Sequence, residues 1–303
     1  MKILSYSVVA LTIAAMATTH VAVAEQTTTL EALTRDTHFH GIAADQRDPL
    51  RFYLATHHGL FHVAPDGSAT RVSATRDDFM GFTPHPTDPA TSYASGHPPT
   101  GGNLGFLETK DGGKSWAKLA DGVGGPVDFH QMDVSKADPR VIYGAYRDLQ
   151  RSDDGGRTWR RVGPPPQGLI ALAASSLNPE TLYAATQRGL LKSTDSGKSW
   201  DIAHMLERPA TMVHVTTDGT IYAFIAGSGL LQASEKQLQW RMLSNGWGNA
   251  YVWHLAAGPQ NGNSLYAVTL DPATKAQAVQ TSTDGGRSWK LVGEDGSNRH
   301  GGG

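Results

Sequence analysis

The chain has 303 residues, enough for one large β domain or two small domains. Charged residues make up 18% and hydrophobic residues 39%, a globular balance that excludes wholesale disorder. A net charge of -2 with no basic block excludes electrostatic recruitment of nucleic acid, and the absence of cysteine excludes disulfides, thiolate ligands and thiol nucleophiles.

Residues 1–24 read as a signal peptide. Lys2 supplies the positive end, Ile3 to Ala17 the apolar stretch, and Ala22-Val23-Ala24 the small residues before cleavage, so the mature chain is expected to start near Glu25. An uncleaved anchor is the alternative, but the apolar run is short and soft for a bilayer. With no cysteine after the signal, a lipid anchor is excluded. The expected location is the periplasm or the exterior, with no membrane span once the signal is removed. An exported domain without disulfides needs a core large enough to hold itself.

Residues 25–293 are dominated by a repeat. Thr109-Lys-Asp-Gly-Gly-Lys-Ser-Trp116 returns as Ser152-Asp-Asp-Gly-Gly-Arg-Thr-Trp159, Ser193-Thr-Asp-Ser-Gly-Lys-Ser-Trp200 and Ser282-Thr-Asp-Gly-Gly-Arg-Ser-Trp289. A worn copy ends at Trp240, and a more worn one runs from Phe61 to Val72 with Asp66-Gly67 at its turn. Asp111, Asp154, Asp195 and Asp284 are expected to accept hydrogen bonds from backbone N–H groups in a hairpin turn, while glycine takes the positive φ angles. The indoles of Trp116, Trp159, Trp200 and Trp289 then pack between neighbouring elements. The tryptophans at 116, 159, 200, 240 and 289 are 43, 41, 40 and 49 residues apart. Such a period holds four β-strands and short turns.

A second marker is a strand ending in tyrosine after an Asp-Pro type of turn: Tyr53, Tyr93, Tyr143, Tyr183, Tyr222 and Tyr266. No helical period runs through the mature chain. The prediction is an all-β fold: a single β-propeller of six blades, with seven the alternative, each blade four antiparallel strands carrying an Asp-box hairpin. Residues 25–37 are expected to add a closing strand to the last blade, and residues 294–303 to form a flexible tail.

The boxes resemble the BNR or Asp-box repeats of sialidases, sortilin-type receptors, large xyloglucan hydrolases and photosystem assembly factors. The resemblance implies a propeller and a structural role for the box, at an outer hairpin away from any active site. It also raises glycosidase activity. Sialidases of this superfamily carry Arg-Ile-Pro and an arginine clamp; this chain has no Arg-Ile-Pro, and Arg157 and Arg287 fall inside the boxes. A general glycosidase needs two carboxylates about 5–10 Å apart. Asp78 and Asp128 are the candidate catalytic pair, since both precede an inner strand, with turn capping as their alternative role.

Stacking the units on their tyrosines exposes a His/Met constellation. Thirteen residues before Tyr53, Tyr93, Tyr143 and Tyr183 stand His40, Met80, His130 and Ile170; four residues after them stand His57, His97, Arg147 and Gln187. In a blade the start of the innermost strand and the end of the second lie on one face, so these sets are expected to converge on one mouth of the channel. His38, His58 and Met132 are close enough in sequence to join. Imidazole with thioether suits copper, with Met favouring Cu(I); zinc on His40, His130, His97 and Asp128 is the less favoured metal. The alternative is that the histidines are hydrogen-bonded packing residues and Met80 fills a gap. His62 and His85 lack repeat partners and are expected at the surface. Trp253 matches His40 in register, so His254 is expected to face the other side, and Trp253 to wall a ligand pocket. Motifs such as His38-Phe-His-Gly41, Asp78-Phe-Met-Gly-Phe82 and Asp128-Phe-His-Gln-Met132 are similar to those of exported bacterial BNR-repeat proteins labelled glycosyl hydrolases.

Three functions are expected in turn. The first is a periplasmic binding protein with a His/Met transition-metal site, copper foremost. The second is a scaffold that docks a periplasmic protein partner. The third is a sialidase-like glycosyl hydrolase, the form any enzymatic activity would take.

Overall fold

The computed structural model describes residues 26–205, 207–258 and 262–294; the expected signal peptide and all but the first residue of the expected tail lie outside the described residues. A strand β1 (Thr27–Thr29) and a helix α1 (Leu30–Asp36) come first. Blade 1 is β2 (Phe39–Ala44), β3 (Phe52–Thr56), β4 (Gly59–Val63) and β5 (Ser68–Arg71). Blade 2 is β6 (Asp78–Pro84), β7 (Ser92–His97), β8 (Phe106–Thr109) and β9 (Ala117–Ala120). Blade 3 is β10 (Gln131–Val134), β11 (Ile142–Tyr146), β12 (Asp148–Ser152) and β13 (Arg160–Gly163). Blade 4 is β14 (Leu169–Ala174), β15 (Leu182–Thr186), β16 (Gly189–Ser193) and β17 (Asp201–Ile202). Blade 5 is β18 (Ala210–Val215), β19 (Thr220–Ile225), β20 (Gly229–Ser234) and β21 (Arg241–Ser244). Blade 6 is β22 (Tyr251–Ala257), β23 (Leu265–Leu270), β24 (Gln277–Ser282) and β25 (Lys290–Leu291).

Within each blade the strands pair antiparallel in chain order, giving six sheets. The first strands β2, β6, β10, β14, β18 and β22 neighbour one another around the axis, and β22 packs against β2 to close the ring. The expected six-bladed propeller is therefore the fold, and six rather than seven is the blade number.

The closure differs from the expectation. β1 pairs with β5 as a fifth, outer strand of the first blade, not with the last blade. Residues 30–36, which lie in the stretch expected to add a strand, form α1, capped by the Thr29 side chain on the Ala32 N–H. The helix buries Leu30 and Leu33 in one apolar cluster with Phe52 of blade 1 and Tyr266, Val268 and Val279 of blade 6. A one-turn apolar pair is too short to show a helical period in sequence, yet it is what seals the seam between first and last blades. The Tyr266 hydroxyl adds a bond to the Pro49 carbonyl across the same seam.

Five of the six tyrosine markers sit at the second residue of the second strand, and Tyr222 at the third, rather than at its end. The preceding turn feeds straight into the strand, and the side chain points between blades: Tyr143 donates to the Pro179 carbonyl of the next blade.

The boxes are turns, as their chemistry requires. Asp154 Oδ1 accepts from the Thr158 N–H and its Oδ2 from the Thr158 hydroxyl, Ser152 Oγ accepts from the Gly156 N–H, and the Trp159 indole donates to the Gly156 carbonyl. Asp111, Asp195 and Asp284 repeat the pattern. Gly156 has φ 88, and a Cβ there would fall 2.0 Å from Phe106 of the preceding blade. The box therefore docks on its neighbour at a distance that only glycine permits. Trp159 lies against Phe106 and Phe129 with centroids 5.1 and 4.9 Å apart, and Trp116 against Phe79 at 4.7 Å.

Hydrogen bonding, first from the Thr158 hydroxyl and then from its N–H, holds the Asp154 carboxyl down at about 2. The Asp195 and Asp284 carboxyls are lowered for the same reason through Ser199 and Ser288. A carboxyl depressed by folding stabilises the fold above its unfolded pKa near 4, and that contribution is lost as pH falls towards the folded value. Denaturant midpoints are accordingly expected to drop between about pH 5 and about pH 2.5. Asp154→Asn should be less stable than the parent at the upper end of that range and converge with it at the lower end; a constant gap across the range would contradict the assignment.

Candidate functional site

The first strands carry β-bulges near their starts. The extra residue is His40 in β2, Ile170 in β14, Thr211 in β18 and Trp253 in β22. A bulge re-aims a side chain while the ladder continues on either side. In blade 5 the extra residue, Thr211, stands eleven residues before Tyr222, against thirteen for its counterparts His40, Ile170 and Trp253. In blade 6 the extra residue is Trp253, the register match of His40, and both Trp253 and His254 line the central channel. The channel encloses about 550 Å³. His40, His130, His214, Trp253 and His254 are on its wall.

The mouth at the starts of these strands gathers two clusters. In the first, His57 Nδ1 lies 2.7 Å from Asp78 Oδ2, His40 Nε2 lies 3.5 Å from Asp78 Oδ1, and His40 Nε2 stands 3.2 Å from His57. In the second, Asp128 Oδ2 is 3.0 Å from His97 Nε2 and 2.7 Å from His130 Nε2. Within each cluster the three ligand atoms all lie within 4.8 Å of one another. His97 is further oriented by the Gly102 carbonyl, 3.1 Å from Nδ1.

Each aspartate keeps one oxygen, Asp78 Oδ1 and Asp128 Oδ1, that is buried and without a hydrogen-bond partner. Such atoms are costly unless something else satisfies them. Asp128 itself is 5% exposed. His40 is pushed down to about 3, mainly by burial and then by the neighbouring His57. His130 is raised, because Asp128 accepts its hydrogen bond and favours the charged ring. At neutral pH His40 is thus an uncharged imidazole, the form that donates a lone pair.

The structure sorts the residues singled out in the sequence. It brings His40 to His57 and His97 to His130, and places with them Asp78 and Asp128, which the sequence offered as a carboxylate pair, with Asp128 also a ligand in the zinc alternative. The missed signal is a third repeat position: Asp78 and Asp128 stand fifteen residues before Tyr93 and Tyr143, and His38 fifteen before Tyr53. A histidine at or just past the end of one blade's second strand therefore meets an aspartate at the start of the next blade, once as His57–Asp78 and again as His97–Asp128. His38 is exposed, with its ring 5.8 Å from that of His57, and His58 is exposed with its ring 6.5 Å from His57. Met132 belongs to the apolar cluster of Tyr93, Phe106, Phe129 and Val134, and Met80 is buried. His62, expected at the surface, is half-buried with Nε2 3.0 Å from Asp45, and its ring stacks on Tyr53. His85 accepts from the Thr87 and Asp88 N–H groups in its own turn.

Glycine makes the approach feasible. Gly96, one residue before His97, has φ 123, and a Cβ there would stand 1.9 Å from the Asp78 carbonyl oxygen. β7 can therefore press against the start of β6 and hold Asp78 opposite His97, its register partner.

The BNR/Asp-box repeat family matches residues 150–161, the box that ends at Trp159. No curated protein matches the chain. Among solved structures, a GH74 xyloglucanase from Xanthomonas campestris is similar at TM-score 0.55 and 20% identity, over 88% of this chain and 46% of the other. A GH74 enzyme from Niastella koreensis is similar at TM-score 0.58 and 16% identity, over 84% of this chain and 45% of the other. This chain thus spans less than half of each of those two enzymes. YCF48 bound to D1 peptide is similar at TM-score 0.52 and 16% identity, over 89% of this chain and 87% of that one. Likeness at these identities speaks for the propeller alone. No helix among the described residues is long and apolar enough to cross a membrane.

Proposed function

We propose that this BNR/Asp-box repeat propeller is an exported metal-binding protein, holding a divalent first-row transition-metal ion at the histidine-bearing mouth of its channel. The observation that carries the reading is the convergence of His40, His57 and Asp78, and of His97, Asp128 and His130, each with a buried carboxylate oxygen that has no hydrogen-bond partner. Ligands bonded at about 2.0–2.1 Å in a tetrahedral shell lie about 3.4 Å from one another. His40 Nε2 stands at close to that spacing from His57 and from Asp78 Oδ1, at 3.2 and 3.5 Å, while His57 Nδ1 lies nearer to the other oxygen, 2.7 Å from Asp78 Oδ2. Three protein ligands leave a coordination position open, as in sites that exchange or act on what they bind.

Imidazole and carboxylate suit Zn(II) and Cu(II). A thioether from Met80 or Met132 would extend the preference to Cu(I), so the titration uses both oxidation states of copper as well as zinc. Protein purified from periplasm should carry tightly held metal, and the stripped protein should rebind it below micromolar concentration. The double variant His40→Ala/His130→Ala, which removes one ligand from each cluster, should fold and lose that binding. Unchanged affinity in the double variant would overturn the site.

A docking scaffold is the second reading, favoured by the similarity over nearly all of the YCF48 chain. It predicts partner capture that survives the double variant. Glycoside hydrolysis is less well served. Asp78 and Asp128 each already share an oxygen with imidazoles, and this chain covers only 46% of the xyloglucanase to which its fold is similar.

A further inference from the structure

We infer that the mouth takes two divalent transition-metal ions in adjoining pockets, one of His40, His57 and Asp78 and the other of His97, Asp128 and His130, with Asp78 and His97 forming the wall between them. This rests on the metal-binding reading and extends it from a site to a coupled pair.

Three observations lead there. The six candidate ligands form two compact groups rather than one: each set of three closes within 4.8 Å, and among the described residues no larger set does. A single ion therefore cannot draw on both without rearrangement. The groups are also not independent. Asp78 and His97 are direct register partners across the antiparallel pair β6–β7. Opposed residues of such a pair have Cβ atoms about 5 Å apart on the same face of the sheet. A ligand of one pocket thus stands beside a ligand of the other. Finally, each pocket has its own buried carboxylate oxygen without a partner, Asp78 Oδ1 in one and Asp128 Oδ1 in the other. One ion would relieve one of them and leave the second stranded.

The construction repeats because the blades repeat. The His57–Asp78 contact crosses from blade 1 to blade 2, and the His97–Asp128 contact crosses from blade 2 to blade 3. The third histidine differs: His40 comes from the blade of His57, whereas His130 comes from the blade of Asp128. The pockets are related by the repeat but are not copies, so their affinities should differ. Two dications side by side repel, and the coupling is reciprocal, so filling either pocket weakens the other by a typical factor of roughly ten.

The test is calorimetric titration of the stripped, full-length mature protein with Zn(II), in parallel with Cu(II) titration followed by electron paramagnetic resonance. The expected result is about two equivalents, the second bound roughly tenfold more weakly. Cu(II) at full loading should give a spin-coupled signal, broadened by the neighbouring ion and with a half-field line. His57→Ala and His97→Ala each break one pocket only. Each should retain about one equivalent, with an uncoupled signal that integrates to all the copper. His57→Gln and His97→Gln are the second pair, used if an alanine variant fails to fold. One equivalent in the parent, kept in one single variant and lost in the other, would overturn the pair while leaving a one-ion site standing. No binding in the parent would overturn both. Two equivalents with additive, uncoupled signals and equal affinities would refute the shared wall.

Discussion

Asp128→Asn is expected to weaken metal binding in the pocket of His97, Asp128 and His130 by more than about a hundredfold while the pocket of His40, His57 and Asp78 keeps its equivalent, since loss of an outer partner of a ligand already costs up to about that much and Asp128 is placed as a ligand itself. The substitution keeps the size of the side chain and removes the charge. Asp128 Oδ2 faces both His97 and His130, at 3.0 and 2.7 Å. An amide in its place cannot neutralise an ion, and it can accept from those rings on one atom only. Competition against a chromogenic chelator reads the change. Near-UV circular dichroism should match the parent, because the apolar packing around Phe129 is untouched. An affinity within about threefold of the parent would mean that Asp128 is a structural partner of the histidines and not a ligand.

The same comparison separates two roles that look alike in a static structure. A carboxylate that merely orients imidazoles and one that binds metal both sit within hydrogen-bond distance of them. The distinguishing atom is Oδ1. It is buried and has no hydrogen-bond partner in either aspartate. A purely orienting carboxylate would be expected to satisfy that oxygen from the backbone, as Asp133 does by accepting from the Val134 and Ala174 N–H groups.

Periodicity made most of the fold legible. The boxes fix where each outer hairpin turns, the tyrosines fix where each second strand begins, and together they count six blades. What periodicity could not show is whatever happens once. The helix α1 has a single apolar pair, Leu30 and Leu33, and its partners Tyr266 and Val279 are more than two hundred residues away. The pairing of β1 with β5 is likewise a non-repeating event. At the site, repeat register brought His40, His57, His97 and His130 to one mouth because like positions in a propeller stay on one face. It read Asp78 and Asp128 as a carboxylate pair, with Asp128 a ligand only in the zinc alternative, because the contacts His57–Asp78 and His97–Asp128 cross between adjoining blades and depend on how neighbours are staggered. Trp253 and His40 are both the extra residue of a bulge, so the register match read from the tyrosines holds, and the bulge itself leaves no mark in composition.

Phe129→Ala should be the most damaging single change near the site, at about 3–5 kcal/mol of unfolding free energy, the usual cost of removing a fully buried aromatic ring. The ring is 0% exposed. It lies 4.9 Å from the Trp159 centroid and covers Gly144, where a Cβ would fall 2.6 Å from it. It therefore links three levels: the box of blade 3, the second strand of that blade, and the backbone between Asp128 and His130. Its N–H is held by the Ser95 hydroxyl, which also bonds the Gly105 and Val127 carbonyls, so the start of blade 3 is tied to blade 2 at the same point. Removing the ring opens a cavity there and frees the residues on either side of it. Urea denaturation followed by Trp fluorescence should show the midpoint falling with the slope nearly unchanged. Metal affinity should fall too, though less than in Asp128→Asn, because the ligands remain while their spacing loosens. A matched control is Leu50→Ala at an exposed turn, 63% exposed, where little change is expected. If Phe129→Ala costs no more than that control, blade 3 is not anchored through its box, and the rigid placement of Asp128 against His97 would need another cause.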